Sequence, residues 1–245
     1  MRHAGPMTER RWDRTVRDQL ALGRLLPLAG DAGGAWLTES AARAALRRTG
    51  EGLPGVRLGE VTFTAAGEAP GGAPEAGFPA PGSARAPGPL VLTAACGVHT
   101  GGPLTEVTDA LRPALASAAR DGLGLDVVAV DLRVTELLDA EPAPRQEAPE
   151  AEADGADPGG DGEEAEVGRA VRAVPGVAGL ARRFGPVGRA VRLGVAAGGT
   201  RAVRVEVTAS GARPLPETVA AVRAAASGVL GPDAEVAVLV TGWRG

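Results

Sequence analysis

Two stretches of this chain repeat each other, and the repeat constrains the fold more than any single motif does. LVLTAACGVHTGGPLTEVTDALRPALASA, from Leu90, lies against AVRVEVTASGARPLPETVAAVRAAASGV, from Ala202, when Pro103 and Leu104 are set on Pro214 and Leu215. Leu92, Ala94, Cys96 and Val98 then fall on Val203, Val205, Val207 and Ala209. Glu106 falls on Glu217 and Leu111 on Val222. Upstream, GLPGVRL at 52–58 matches VPGVAGL at 174–180; downstream, LDVVAVDLRV from Leu125 matches AEVAVLV from Ala234 after a small shift. Self-similarity in a fixed order is the mark of a duplicated structural unit. Two divergent copies of one small module are therefore expected.

The shared pattern predicts the elements. An Ala-rich helix comes first, SAARAALRR after an N-cap at Thr38 or Ser40, and EVGRAVRAV in the second copy. Leu/Val-Pro-Gly-Val stops it, because proline disfavours helix at the residue before it and glycine turns the chain. A strand pair follows, joined through Gly198 and Gly199 in copy two and separated by a long loop in copy one. Pro-Leu-x-Glu opens a second helix that ends near Gly122 or Gly231, and a final strand closes the unit. The expected fold class is α+β: two tandem helix-strand-strand-helix-strand modules.

Two segments interrupt this pattern. Residues 66–89 are rich in Pro, Gly and Ala, without apolar periodicity, and read as a loop inside the first module. Residues 139–165 carry ten acids against one arginine, with almost nothing to bury. Such a segment cannot offset its ordering entropy and is expected to be a disordered acidic linker. The resulting organisation is an N-terminal helical arm at 1–35, a first module at 36–138, the linker at 139–165 and a second module at 166–245. The hydrophobic fraction of 44% rests heavily on alanine, with aromatics at only 2%, so small cores of Val, Leu and Ala are expected. Trp12, Trp36 and Trp243 read as packing residues at module edges.

Chemistry-bearing residues are few. Cys96 and His99 stand three apart, but strand alternation sends their side chains to opposite faces, whereas a nucleophile needs a base within reach. Cys96 stands where Val207 stands and reads as a core residue. Glu106 and Glu217 read as first-turn carboxylates that favour the helix dipole. Asp157, Asp161 and Gly162 match only fragments of a calcium loop, with Pro158 intruding. His3 and His99 are too few and too isolated for zinc. The glycine-rich stretches lack the Lys-Ser/Thr of a phosphate loop. No catalytic residues, cofactor or metal are expected, and no small-molecule substrate.

All 26 basic residues are arginine, and lysine and tyrosine are absent, which points to codon bias from a GC-rich genome. One cluster stands out nonetheless. Arg169, Arg172, Arg182, Arg183, Arg189, Arg192, Arg201 and Arg204 span Val167 to Val205 without a single acid. They form a candidate surface for an anionic partner, which the acidic linker would mask. A formal charge of −4 and the scarcity of aromatics to stack on bases count against nucleic acid. One cysteine excludes an internal disulfide. The N-terminal stretch has no apolar core of signal-peptide length, and no apolar run approaches the ~20 residues of a membrane span. A cytoplasmic protein is expected.

In order and repetition, VGRAVRAVPGVAGLARRFG, VRVEVTASGARPLPETVAAVRAA, LPGVRL and LDVVAVDLRVTEL together resemble the alkaline shock protein family of envelope-stress proteins. That resemblance covers most of residues 36–138 and 166–245. It implies a non-enzymatic cytoplasmic protein that associates with a membrane-anchored partner or with its own kind near the envelope. The chain departs from the family pattern by duplication, by the long loop and by its N-terminal segment. The expected function is a structural or interaction role in envelope stress, exercised through module surfaces that include exposed strand edges. The alternative is an anionic-surface or nucleic-acid binder acting through the Arg-rich second module.

Overall fold

A computed structural model describes residues 22–29, 34–67, 83–101, 103–140, 162–182, 189–196 and 199–244. The expected helix within residues 1–21, most of the Pro/Gly-rich loop and the acidic tract at 141–161 lie outside them, as do His3, Trp12, Arg183 and Gly198. Among the described residues the chain is mixed α+β, with four α-helices and nine strands. The first half contains β1 (Leu25–Pro27), β2 (Ala35–Thr38), α1 (Glu39–Glu51), β3 (Val56–Ala65) and β4 (Leu90–His99). It continues through α2 (Leu104–Ser117), a π-helical turn (Ala118–Gly122) and β5 (Val127–Leu138). The second half contains α3 (Glu163–Arg172), β6 (Val177–Leu180), β7 (Val191–Val195), β8 (Arg201–Ser210), α4 (Leu215–Leu230) and β9 (Glu235–Arg244).

Two sheets result. In the smaller, β4 lies between β3, to which it is antiparallel, and β5, to which it is parallel. In the larger, β8 is antiparallel to β6 and β7, which occupy successive parts of one edge, and parallel to β9. The registers correspond closely. Leu58 faces Cys96 and Val61 faces Ala94, with Gly59 and Glu60 bulged between them. Leu180 faces Val207 and Val191 faces Val205, and the chain leaves the sheet between them. The parallel ladders β4–β5 and β8–β9 each skip one threonine: Cys96 pairs with Val134 and Gly97 with Glu136, while Val207 pairs with Val240 and Thr208 with Gly242. Thr135 and Thr241 are the residues passed over.

The apolar faces of β4 and β8 form the centre of the core. Leu92, Ala94, Cys96, Val98, Val203, Val205 and Ala209 are fully buried. Against them pack Ala42 and Leu46 of α1, Leu111 and Leu115 of α2, Val167 and Val171 of α3, and Val222 and Ala226 of α4. One contiguous cluster therefore takes residues from both sheets and all four helices. Thr38 caps α1, its hydroxyl accepting from the Ala41 amide at 3.2 Å. Trp36 is buried in a second, smaller cluster with Leu25, Ala237 and Leu239, and Trp243 packs on the main core.

Two sequence expectations are corrected. Residues 25–27 and 35, assigned to a helical arm, are strand: β1 pairs with β2, and β2 pairs in parallel with β9, extending the larger sheet. Leu25 and Leu26 are both fully buried, in different clusters, so this segment shows no period-2 alternation to read. Residues 163–165, placed in the acidic linker, form the first turn of α3. Glu163, Glu164 and Glu166 sit there because carboxylates are favoured where the helix dipole is positive.

The Pro-Gly turns fix how each first helix enters its sheet. Gly55 and Gly176 both take positive φ, and their carbonyls accept from the His99 and Ser210 amides at 2.9 and 2.8 Å. A Cβ on Gly176 would stand 2.4 Å from the Thr218 hydroxyl of α4. Gly176→Val is expected to destabilise the fold by about 2 kcal/mol or more through backbone strain and this clash. Gly228→Ala, in an α4 position with open space around it, is expected to stabilise by about 0.5–1 kcal/mol. Urea denaturation checks both; equal midpoints for the two variants would contradict the assignment.

Candidate functional site

Cys96 is fully buried, and its thiol makes only a weak 3.7 Å contact to the Arg133 carbonyl of β5. Burial pushes the thiol's pKa up from its ordinary value, away from the thiolate a nucleophile requires. His99 lies on the opposite parity of β4, at its half-buried end. The structure does not bring the two together as nucleophile and base. Glu106 and Glu217 sit exposed in the first turns of α2 and α4. Among the described residues, no group of three or more His, Cys, Asp or Glu side chains is placed to hold a metal ion.

A cleft of about 580 Å³ runs beside β3, lined among others by Arg43, Arg47, Arg57, Glu60 and Glu136. Two of its arginines have structural attachments. Arg43 donates to the Val61 carbonyl at 2.7 Å and to Glu39 at 3.0 Å. Arg57 pairs with Glu136 across Gly97 of β4, which is the register partner of both. About half exposed, that pair contributes roughly 0–1 kcal/mol.

The arginines singled out in the second half are divided among several places. Arg169 and Arg172 lie exposed on α3, over the apolar face of the larger sheet. Arg192 and Arg204 stand directly opposite each other on β7 and β8, with parity pointing to the sheet's other face. Arg189 pairs with Glu164 at 2.8 Å, and Arg201 pairs with Glu163. Arg182 is exposed just after β6. The structure brings together 192 with 204, and 189 and 201 with the two glutamates, but it does not gather the set on one face.

The strand edges are the more informative feature. An unpaired edge offers a row of backbone donors and acceptors to another chain, so its treatment is a functional property. At β1, the Leu25 amide donates to the Ser83 carbonyl at 3.1 Å and the Arg85 amide to the Leu25 carbonyl at 2.8 Å. At β3, Arg43 and Arg85 occupy the Val61 and Phe63 carbonyls, at 2.7 and 2.6 Å. At β7, the Leu193 amide donates to Glu164 at 3.4 Å. At β9, Arg223 donates to the Val236 carbonyl at 3.3 Å, and β2 then covers Val238 to Val240.

β5 begins in the same way and then diverges. Arg112 of α2 donates to the Val130 carbonyl, also at 3.3 Å, but no strand among the described residues covers 132–134. Val128, Val134 and Leu137 of this strand are exposed. Arg112 and Arg223 stand 111 residues apart, the same spacing as Pro103 and Pro214. The repeat alignment therefore already held this signal, although only the pattern of apolar residues points to the strands.

Comparison with known proteins finds no family model, no curated protein and no solved structure that matches this chain. Among the described residues, no helix is long and apolar enough to cross a membrane.

The raised thiol pKa makes a testable signature. Folded Cys96 keeps its proton to higher pH than in the unfolded chain, where a thiol titrates near ~8.5. Its contribution to stability is thus present below that value and is lost as pH rises through the folded value. Cys96→Val, which installs the residue found at 207, should change stability by less than about 1.5 kcal/mol at neutral pH. Above about pH 9 wild type should lose stability relative to the variant. Thermal melts across pH check this, and parallel profiles would contradict it.

Proposed function

We propose that this chain is a non-enzymatic assembly protein built from two divergent tandem copies of one α+β module similar to the alkaline shock protein family. It acts in envelope stress through strand edges and module surfaces that engage another chain. The observation that carries this reading is the edge of β5 at 132–134, left open among the described residues beside the capped or covered edges of β1, β3, β7 and β9. Edge addition supplies affinity from main-chain hydrogen bonds without a pocket.

Repetition within the chain supports the same reading. What recurs at a spacing of 111 is scaffolding: the amide bonds of His99 and Ser210 to the Pro-Gly turns, and the arginine bonds of Arg112 and Arg223. Cys96 and His99 do not recur, since Val207 stands for Cys96 and Ser210 for His99, and the glutamates that do recur, Glu106 and Glu217, sit exposed in first helical turns. The pairing of Arg189 and Arg201 with glutamates weighs against the alternative of a free basic face.

The proposed location is the cytoplasmic side of the envelope, through a membrane-associated protein partner. Fractionation of the tagged protein from its native cells at low and high salt tests this. Salt-resistant recovery with the membrane is the expected result, because edge-strand and apolar contacts survive ionic strength. Recovery that washes off with salt would move the function to the arginines, whose phosphate contacts weaken steeply as salt rises. Recovery in the soluble fraction alone would contradict an envelope partner.

A further inference from the structure

We infer that the open edge of β5 pairs with the β5 edge of a second copy of this chain, antiparallel and centred on Leu132. The backbone directions and the side-chain order of this strand lead there independently.

Backbone groups alternate along a strand. The Val130 carbonyl faces away from β4, toward Arg112. The Arg133 carbonyl faces β4, where it accepts from Cys96. Leu132, between them and sharing the parity of Val130, therefore turns its amide and carbonyl to the open edge. On β9 the corresponding residue is Val238, whose amide donates to the Gly34 carbonyl at 2.6 Å as β2 begins. The same position is thus occupied in one sheet and, among the described residues, open in the other. The ladder between β4 and β5 is regular only from Ala129 to Val134, bounded by the bulges at Val128 and Thr135. Leu132 lies near the middle of that stretch.

Two such edges meeting about a two-fold axis at Leu132 would exchange both amide-carbonyl bonds of the central pair. Val130 would then face Val134 of the other copy on the apolar side of the sheet. On the outer side Asp131 would face Arg133, and Arg133 would face Asp131, giving two opposite-charge pairs by symmetry. Both residues are exposed in the protomer, and no ion pair joins either to another described residue. Neighbouring registers lack this match. Centring on Asp131 or Arg133 sets like charges against each other, which is destabilising. Centring on Val134 sets Arg133 opposite Thr135 and leaves both charges unpaired. The outcome would be one continuous sheet running β3-β4-β5 through β5-β4-β3 of the second copy.

This contact supplies a partner for the assembly role proposed above and rests on that reading for its use in the cell. It is measured on purified protein, so it can fail while the fractionation result stands, and the reverse. An interface of one strand pair falls below about 1,200 Å², where association is weak and concentration-dependent. Sedimentation equilibrium on the full chain, over about a hundredfold range of concentration, reads it out. Asp131→Arg and Arg133→Asp, each alone, place like charges opposite and should raise the dimer dissociation constant about tenfold or more. The double swap restores opposite charges and should restore the dimer. Circular dichroism establishes that each variant is folded, the substitutions being at exposed positions.

A wild-type chain that stays monomeric throughout would overturn the pairing and leave the edge to a strand from a different protein. A dimer indifferent to both single reversals would place the contact elsewhere. Single reversals that weaken the dimer without rescue by the double swap would overturn this register.

Discussion

The parallel pairing of β4 with β5 and of β8 with β9 is the constraint on which the rest of the structure depends. Antiparallel neighbours can be joined by a tight turn, but parallel neighbours require a crossover, and a helix is its usual form. α2 and α4 are those crossovers, and each must lie on the face that its sheet buries. The apolar rows Leu92-Ala94-Cys96-Val98 and Val203-Val205-Val207-Ala209 select that face. One buried row on a central strand thus decides the helix positions and the side from which α1 and α3 cover the sheet. It also decides why the only cysteine is a core atom rather than a reagent.

The same topology creates the problem of edges. A sheet has two edges, and this chain caps several of them with residues from outside the strand set. Arg43 and Arg85 take the carbonyls of β3, Glu164 takes an amide of β7, and the segment from Ser83 to Arg85 closes β1. β2, whose residues pair with β9 residues 203 positions later, covers part of the larger sheet's edge, and one core cluster takes residues from both halves. At β5 no strand among the described residues covers 132–134, where Asp131, Leu132 and Arg133 alternate along the edge.

Much of this was legible in the sequence, because two similar stretches carry the same apolar spacing. The central strands, the Pro-Gly turns, the crossover helices and the burial of Cys96 all follow from apolar spacing shared by the two stretches. What was not legible depends on distant partners. β1 and β2 carry no alternation, since Leu25 and Leu26 are buried on both sides, and no local signal shows that Leu37 will pair with Val240. The start of α3 at Glu163 was hidden by an acidic composition that continues into the helix. The arginines of the second half look like one cluster along the sequence. Strand parity and the pairs to Glu163 and Glu164 divide them in space.

Amide hydrogen exchange in dilute solution tests the central contrast between the two parallel ladders most directly. Arg133 and Leu239, whose backbone groups face the central strands, should exchange slowly in both sheets. Val238 and Val240, under β2, should be slow as well, while Leu132 and Val134 should exchange fast. Protection of Leu132 and Val134 equal to that of Val238 and Val240 would mean that the β5 edge is already covered within the protomer. The account of an open edge would then be wrong.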